Sequence, residues 1–71
     1  MIVYVVGDER HEVMAPGGDI TFTAPPALFA RLQSGELDPV VAFMQGKLKM
    51  AGDMATLYDL LPDIPVPAVA P

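Results

Sequence analysis

Six glycines and eight prolines, spread over 71 residues, decide what this chain can become. Ala15-Pro16-Gly17-Gly18, Ala24-Pro25-Pro26, Gly35, Pro39, Gly46, Gly52 and Pro62 each stop or redirect the backbone, so only short strands and short helices fit between them. No apolar run approaches the roughly 18 residues that cross a bilayer, and integral membrane association is not expected.

Between the breakers the periodicity is legible. Residues 1–6 (MIVYVV) are β-branched and aromatic with apolar side chains at both parities, the pattern of a strand covered on both faces. Gly7-Asp8-Glu9 signals a turn and residues 10–14 alternate loosely, so the first 14 residues read as a hairpin. Residues 19–23 (DITFT) alternate strictly, with Ile20 and Phe22 on one face. Three antiparallel strands in succession are the expectation. Pro25-Pro26 then opens a helix striped with Leu28, Phe29 and Leu32, and Gly35 supplies its left-handed stop. Asp38-Pro39 repeats the start signal, as cap and first helical residue, for a second helix carrying Val40, Phe43 and Met44 and closed by Gly46. Residues 47–51 (KLKMA) alternate again, Leu48 and Met50 inward and both lysines outward. Gly52-Asp53 gives a turn and another cap. Met54, Leu57, Tyr58 and Leu61 follow the i, i+3, i+4, i+7 spacing of one helical face, which Pro62 ends. The fold expected is α+β: three antiparallel strands, two short helices, a fourth strand and a helix (βββααβα), with the helices on one face of the sheet. That domain covers residues 1–62, and residues 63–71, with three prolines after Pro62, form an extended, polyproline-like tail.

Composition narrows the function. Hydrophobic residues make up 52% of the chain and charged residues 18%, against about a quarter charged in ordinary soluble domains. A chain this short buries only about 60% of the surface it exposes when unfolded. The excess of apolar side chains therefore points to a ligand or a partner chain. There is no cysteine, which removes disulfides and thiolate metal sites and suits a cytoplasmic setting. A net charge of −5 with four basic residues argues against a nucleic-acid surface.

One run carries a resemblance. Residues 34–54, SGELDPVVAFMQGKLKMAGDM, hold Gly35, Leu37, Pro39, Ala42, Phe43, Gly46, Lys47, Leu48, Lys49, Gly52 and Asp53 at the offsets of a "G-x-L-x-P…A-F-x-x-G-K-L-K-h-x-G-D" pattern. With DITFT and Leu28-Phe29 before it, the stretch from Asp19 to Leu61 resembles the sterol carrier protein type two family of lipid-transfer domains, and residues 1–18 fit that family's first hairpin by pattern. The resemblance implies a twisted sheet with helices on one side, enclosing an apolar tunnel for a fatty acyl chain, acyl-CoA or sterol-like molecule. It also implies that Gln45, just before the Gly-Lys-Leu-Lys strand, faces the ligand. Family members begin with an amphipathic helix that has no counterpart here. The chain thus reads as a truncated form whose open sheet face would be covered by a second copy, another subunit or the proline-rich tail.

The expected site gathers Phe22, Leu28, Phe29, Leu32, Phe43, Met44, Gln45, Leu48, Met50, Met54, Leu57, Tyr58 and Leu61 between sheet and helices. Methionine suits a pocket that takes varied apolar shapes, being flexible and polarizable. No catalytic constellation stands out. His11 sits alone among Glu9, Arg10 and Glu12, far short of the three or four ligands of a metal site, and Ser34 has no base beside it. An enzyme would have to draw on His11, Tyr4, Tyr58 and the hairpin acids. No cofactor or metal is expected. The leading expectation is non-catalytic binding of an apolar ligand, and the alternative is an interaction subunit that dimerises or docks on a partner enzyme through the open sheet face.

Overall fold

The computed structural model describes residues 1–67. The elements are β1 (Ile2–Val6), β2 (Glu9–Val13), β3 (Ile20–Ala24), α1 (Pro26–Gln33), α2 (Pro39–Met44), β4 (Lys49–Gly52) and α3 (Met54–Leu60). This is the α+β order read from the sequence. The capping chemistry holds as well. The Asp38 carboxylate accepts from the Val40 N–H at 2.8 Å and that of Asp53 from the Ala55 N–H at 3.0 Å, which satisfies a helix-start donor in each case.

The pairing of β3 differs from the expectation. The sheet order is β2-β1-β3-β4, so β3 does not lie beside β2. It pairs in parallel with β1, with Ile2 opposite Ile20 and Val6 opposite Ala24, while β1–β2 and β3–β4 are antiparallel. The directions still alternate along the chain. What changes is the neighbour. Val13 and Ile20 flank Ile2 from opposite sides, so the loop between them passes across the start of β1. Gly17 allows that turn with φ of 102°, in the region that favours glycine. Alternation assigns each strand a face but not a neighbour, and two strongly apolar strands, β1 and β3, take the centre of the sheet.

One face of the sheet carries the core. Ile2, Tyr4, Val6, Ile20, Phe22 and Ala24 are buried against Leu28, Phe29 and Leu32 of α1, Ala42 of α2, Leu48, Leu57 of α3 and, from the tail, Ile64. The opposite face sets the middle pair Val3 and Val5 beside Arg10, Glu12, Thr21 and Thr23. Val3 and Val5 are half-buried, so β1 is covered on one face rather than on both as expected. No described residue beyond their sheet neighbours shields them to the level of the core.

The α3 stripe is also rotated from its expected position. Thr56 and Leu57 are buried, whereas Met54 and Tyr58 are 50% and 65% exposed. The cause is polar. The Thr56 hydroxyl donates to the Asp53 carboxylate at 3.1 Å and accepts the Gly18 N–H at 2.8 Å, which turns the Thr56 side of the helix inward. A hydroxyl can be buried when both of its bonds are made.

Candidate functional site

Helix α1 lies over the central strands, and each of its flanks borders a groove. On one side Pro25, Ala27 and Leu28 form an apolar floor of about 360 Å³ with Arg31 and Lys47 at its rim. On the other, Val6, Pro26, Phe29 and Ala30 line a groove of about 210 Å³ with Glu9, His11 and Gln33. Leu28 and Phe29 belong to the core and also floor the two grooves. The interior therefore meets the surface at both places.

The two grooves differ in charge. Arg31 is half-engaged: its Nε donates to Glu36 at 3.1 Å, a solvent-exposed pair of small energetic worth. Lys47 makes no ion pair among the described residues. In a protein with nine acidic and four basic residues, two cations beside one apolar floor form a local positive rim. The other groove carries Glu9, paired with His11 at 3.1 Å. The His11 ring packs on Phe29 with centroids 4.8 Å apart. Among the described residues no group of three or more His, Cys, Asp or Glu is placed to hold a metal ion.

The thirteen residues expected at the site separate into three groups. Phe22, Leu28, Phe29, Leu32, Leu48 and Leu57 are buried together in the core, and Phe43, Met50 and Leu61 pack half-buried against it. Met44, Gln45, Met54 and Tyr58 are exposed and do not join that convergence. Helices α2 and α3 have six and seven residues. Fewer than two turns can bury only part of a four-residue stripe.

Two residues with no place in that expected set organise the interior. Tyr4 is fully buried, its ring 5.1 Å from that of Phe22 and 5.5 Å from that of Phe29. Burial pushes its hydroxyl well above the ordinary tyrosine pKa, so it is a neutral donor. That donor reaches the Pro65 carbonyl at 2.7 Å. Gln33, at the end of α1, donates its amide to the Pro67 carbonyl at 3.1 Å. Between these bonds the tail lies half-buried and joins neither strand nor helix, with Ile64 seated in the core at 2% exposure. The described part of the tail thus packs on the helix side of the sheet, not on its open face. Tyr4 could have been suspected from the sequence, since it shares parity with Ile2 and Val6 and its hydroxyl needs a partner once buried. Gln33 gives no such signal.

Every buried side-chain nitrogen or oxygen among the described residues has a hydrogen-bond partner. The interior presents no orphaned polar group to a substrate, so what it can offer is apolar area and shape. No helix of the described residues is long and apolar enough to cross a membrane. No curated protein and no solved structure matches the chain. A family model does: that of the SCP-2 sterol transfer family, over residues 2–61. The match takes in every strand and helix described above. The chain belongs to the SCP-2 sterol transfer family.

Proposed function

We propose that this domain binds an apolar ligand, such as a fatty acyl chain, acyl-CoA or sterol-like molecule, without catalysing a reaction on it. The observation that carries the reading is the groove beside α1. Its floor of Pro25, Ala27 and Leu28 runs into the core, and its rim holds Arg31 and Lys47. An amphiphile with an anionic head fits such a site: each methylene buried on the floor contributes about 0.8 kcal/mol, and the guanidinium and ammonium offer donors to a carboxylate or phosphate. Family membership supports lipid binding. Absence of cysteine is compatible with the reducing cytoplasm, where we place the domain.

The test is a titration of delipidated protein with a fluorescent acyl probe, followed by displacement with palmitate and with hexadecanol. The reading requires saturable binding, with palmitate displacing the probe better than the neutral alcohol, and Arg31→Gln with Lys47→Gln removing that preference. Linear, non-saturating uptake contradicts it.

A second reading rests on the sheet face away from the helices, where Val3 and Val5 stay half-buried between threonines and charged residues. That face would serve a second copy of the chain or a partner enzyme. Light scattering separates the readings: a 7.6 kDa monomer that stays folded at low micromolar concentration rules out obligate assembly.

A further inference from the structure

The sheet face turned away from the helices carries a pattern that a second copy of the chain completes. The pairing registers place Glu12, Val3, Thr21 and Ala51 in one row across the four strands and Arg10, Val5, Thr23 and Lys49 in the next, since directly paired residues share a face. The centre of the face is four β-branched side chains, uninterrupted by glycine, proline or an aromatic ring. Arg10, Glu12 and Lys49 make no ion pair among the described residues. We infer that this face is the contact of a weak symmetric dimer, in which the strands of the two copies run antiparallel and each Arg10 meets the partner's Glu12. The inference rests on the second reading above and commits it to one partner and one register.

Charge selects the register. Two sheets stacked face to face keep their strands within about 30° of one another, and a twofold axis makes the contact self-complementary. Two such stackings centre on the four β-branched residues. With the axis along the strands, β2 of one copy covers β4 of the other, and Arg10 faces the partner's Lys49. That is a like-charge contact. With the axis across the strands, between the two rows, each strand covers its own counterpart and the rows exchange. Arg10 then faces the partner's Glu12, Val5 its Val3 and Thr23 its Thr21, while the Lys49 stem lies along its Ala51 methyl. Symmetry repeats every contact, giving two ion pairs beside a patch of four valines. Exposed ion pairs contribute little, but like charges set against each other cost several-fold more. Charge therefore decides between the stackings, and valine and threonine supply the area. Oligomerisation is one of the ways in which chains this short are stabilised. The contact has eight residues per copy, against roughly 20–30 a side in a standard interface. The dimer is weak, and the monomer prevails at low micromolar concentration.

The experiment is sedimentation equilibrium of the full chain from about 10 μM to about 1 mM, the range suited to a contact of this size, beside its methyl spectrum. A monomer–dimer equilibrium is expected, with the Val3 and Val5 methyl shifts following concentration and those of the core residues Ile2 and Ile20 fixed. Arg10 and Glu12 are exposed, so their replacement leaves the core untouched. Glu12→Arg or Arg10→Glu alone sets like charges against each other twice and should weaken self-association at least about ten-fold. An equimolar mixture of the two variants restores opposite charges at both places and should form a one-to-one dimer that neither variant forms alone. Concentration-dependent Val3 and Val5 shifts that ignore the charge variants overturn the inferred register and leave the face an interface. A chain that stays monomeric throughout the range overturns the second copy and leaves the face to a partner enzyme. Association with Val3 and Val5 unmoved overturns the inference and the second reading together.

Discussion

Replacing Ile64 by alanine, and Leu57 by alanine for comparison, separates a tail that can detach locally from ordinary core. Both side chains are almost fully buried, at 2% and 1% exposure, and a buried Leu or Ile cut to Ala costs roughly 2–5 kcal/mol in a core that cannot open. A domain of 71 residues has roughly 4–11 kcal/mol of stability in total, so either loss is easily read. The seating of the tail is a closer balance. Burying Ile64 contributes roughly 2–3 kcal/mol, and the bonds from Tyr4 and Gln33 about 1 kcal/mol each. Ordering four residues costs roughly 1–2 kcal/mol apiece, less for Pro65 and Pro67, whose φ is already fixed. The difference lies within about 2 kcal/mol of zero. Ile64→Ala cannot cost more than seating contributes, because the segment simply leaves while the rest of the fold persists. Urea titration should therefore show Ile64→Ala losing no more than about 1.5 kcal/mol and Leu57→Ala about 3 kcal/mol, with slopes that reveal whether the transition stays two-state. Equal losses of about 3 kcal/mol or more would refute the reasoning and make the tail an integral part of the core.

Three further outcomes follow from the same structure. At Gly52, φ is 130° and an added Cβ would run into the Asp19 carbonyl oxygen across the β3–β4 pairing, so Gly52→Ala should lower the thermal midpoint by more than any surface substitution, as calorimetry would show. Asp53 caps α3 and also receives the Thr56 hydroxyl that ties the Gly18 loop; Asp53→Ala should cost about 1–2 kcal/mol in urea unfolding, against a few tenths for Asp59→Ala. Burial raises the Tyr4 pKa, so the folded state holds the phenol neutral where the unfolded chain begins to ionise. The stability this contributes is complete below the ordinary tyrosine value, near pH 10, and is lost as pH climbs from there toward the raised value. Urea midpoints measured at about pH 9 and pH 11 should fall more for the parent chain than for Tyr4→Phe.

Local chemistry was legible in the sequence because each signal acts over a few residues. The strict alternation of Ile20 and Phe22 set their face, Asp38 and Asp53 marked two helix starts, and Leu28, Phe29 and Leu32 defined the buried side of α1. The pairing of β3 with β1 was not legible. A period of two is the same whichever strand lies alongside, and the choice depends on how the loop through Gly17 crosses the sheet. The rotation of α3 was hidden for a similar reason: Met54 and Tyr58 satisfy helical spacing, but a hydrogen bond from Gly18, 38 residues away from Thr56 in sequence, decides which side turns inward. At the candidate groove only Leu28 of the floor was among the residues expected to line a site, and Pro25, Ala27 and Arg31 were not. Tyr4, Gln33 and the tail carbonyls meet only through tertiary structure.

Isothermal titration of delipidated protein with palmitate at two temperatures tests the central claim, that this small fold holds an apolar ligand. Saturable binding of one ligand per chain, with a heat capacity change that is clearly negative as apolar surface leaves water, is the predicted result. No saturable heat at either temperature, with the protein folded and monomeric throughout, would contradict it.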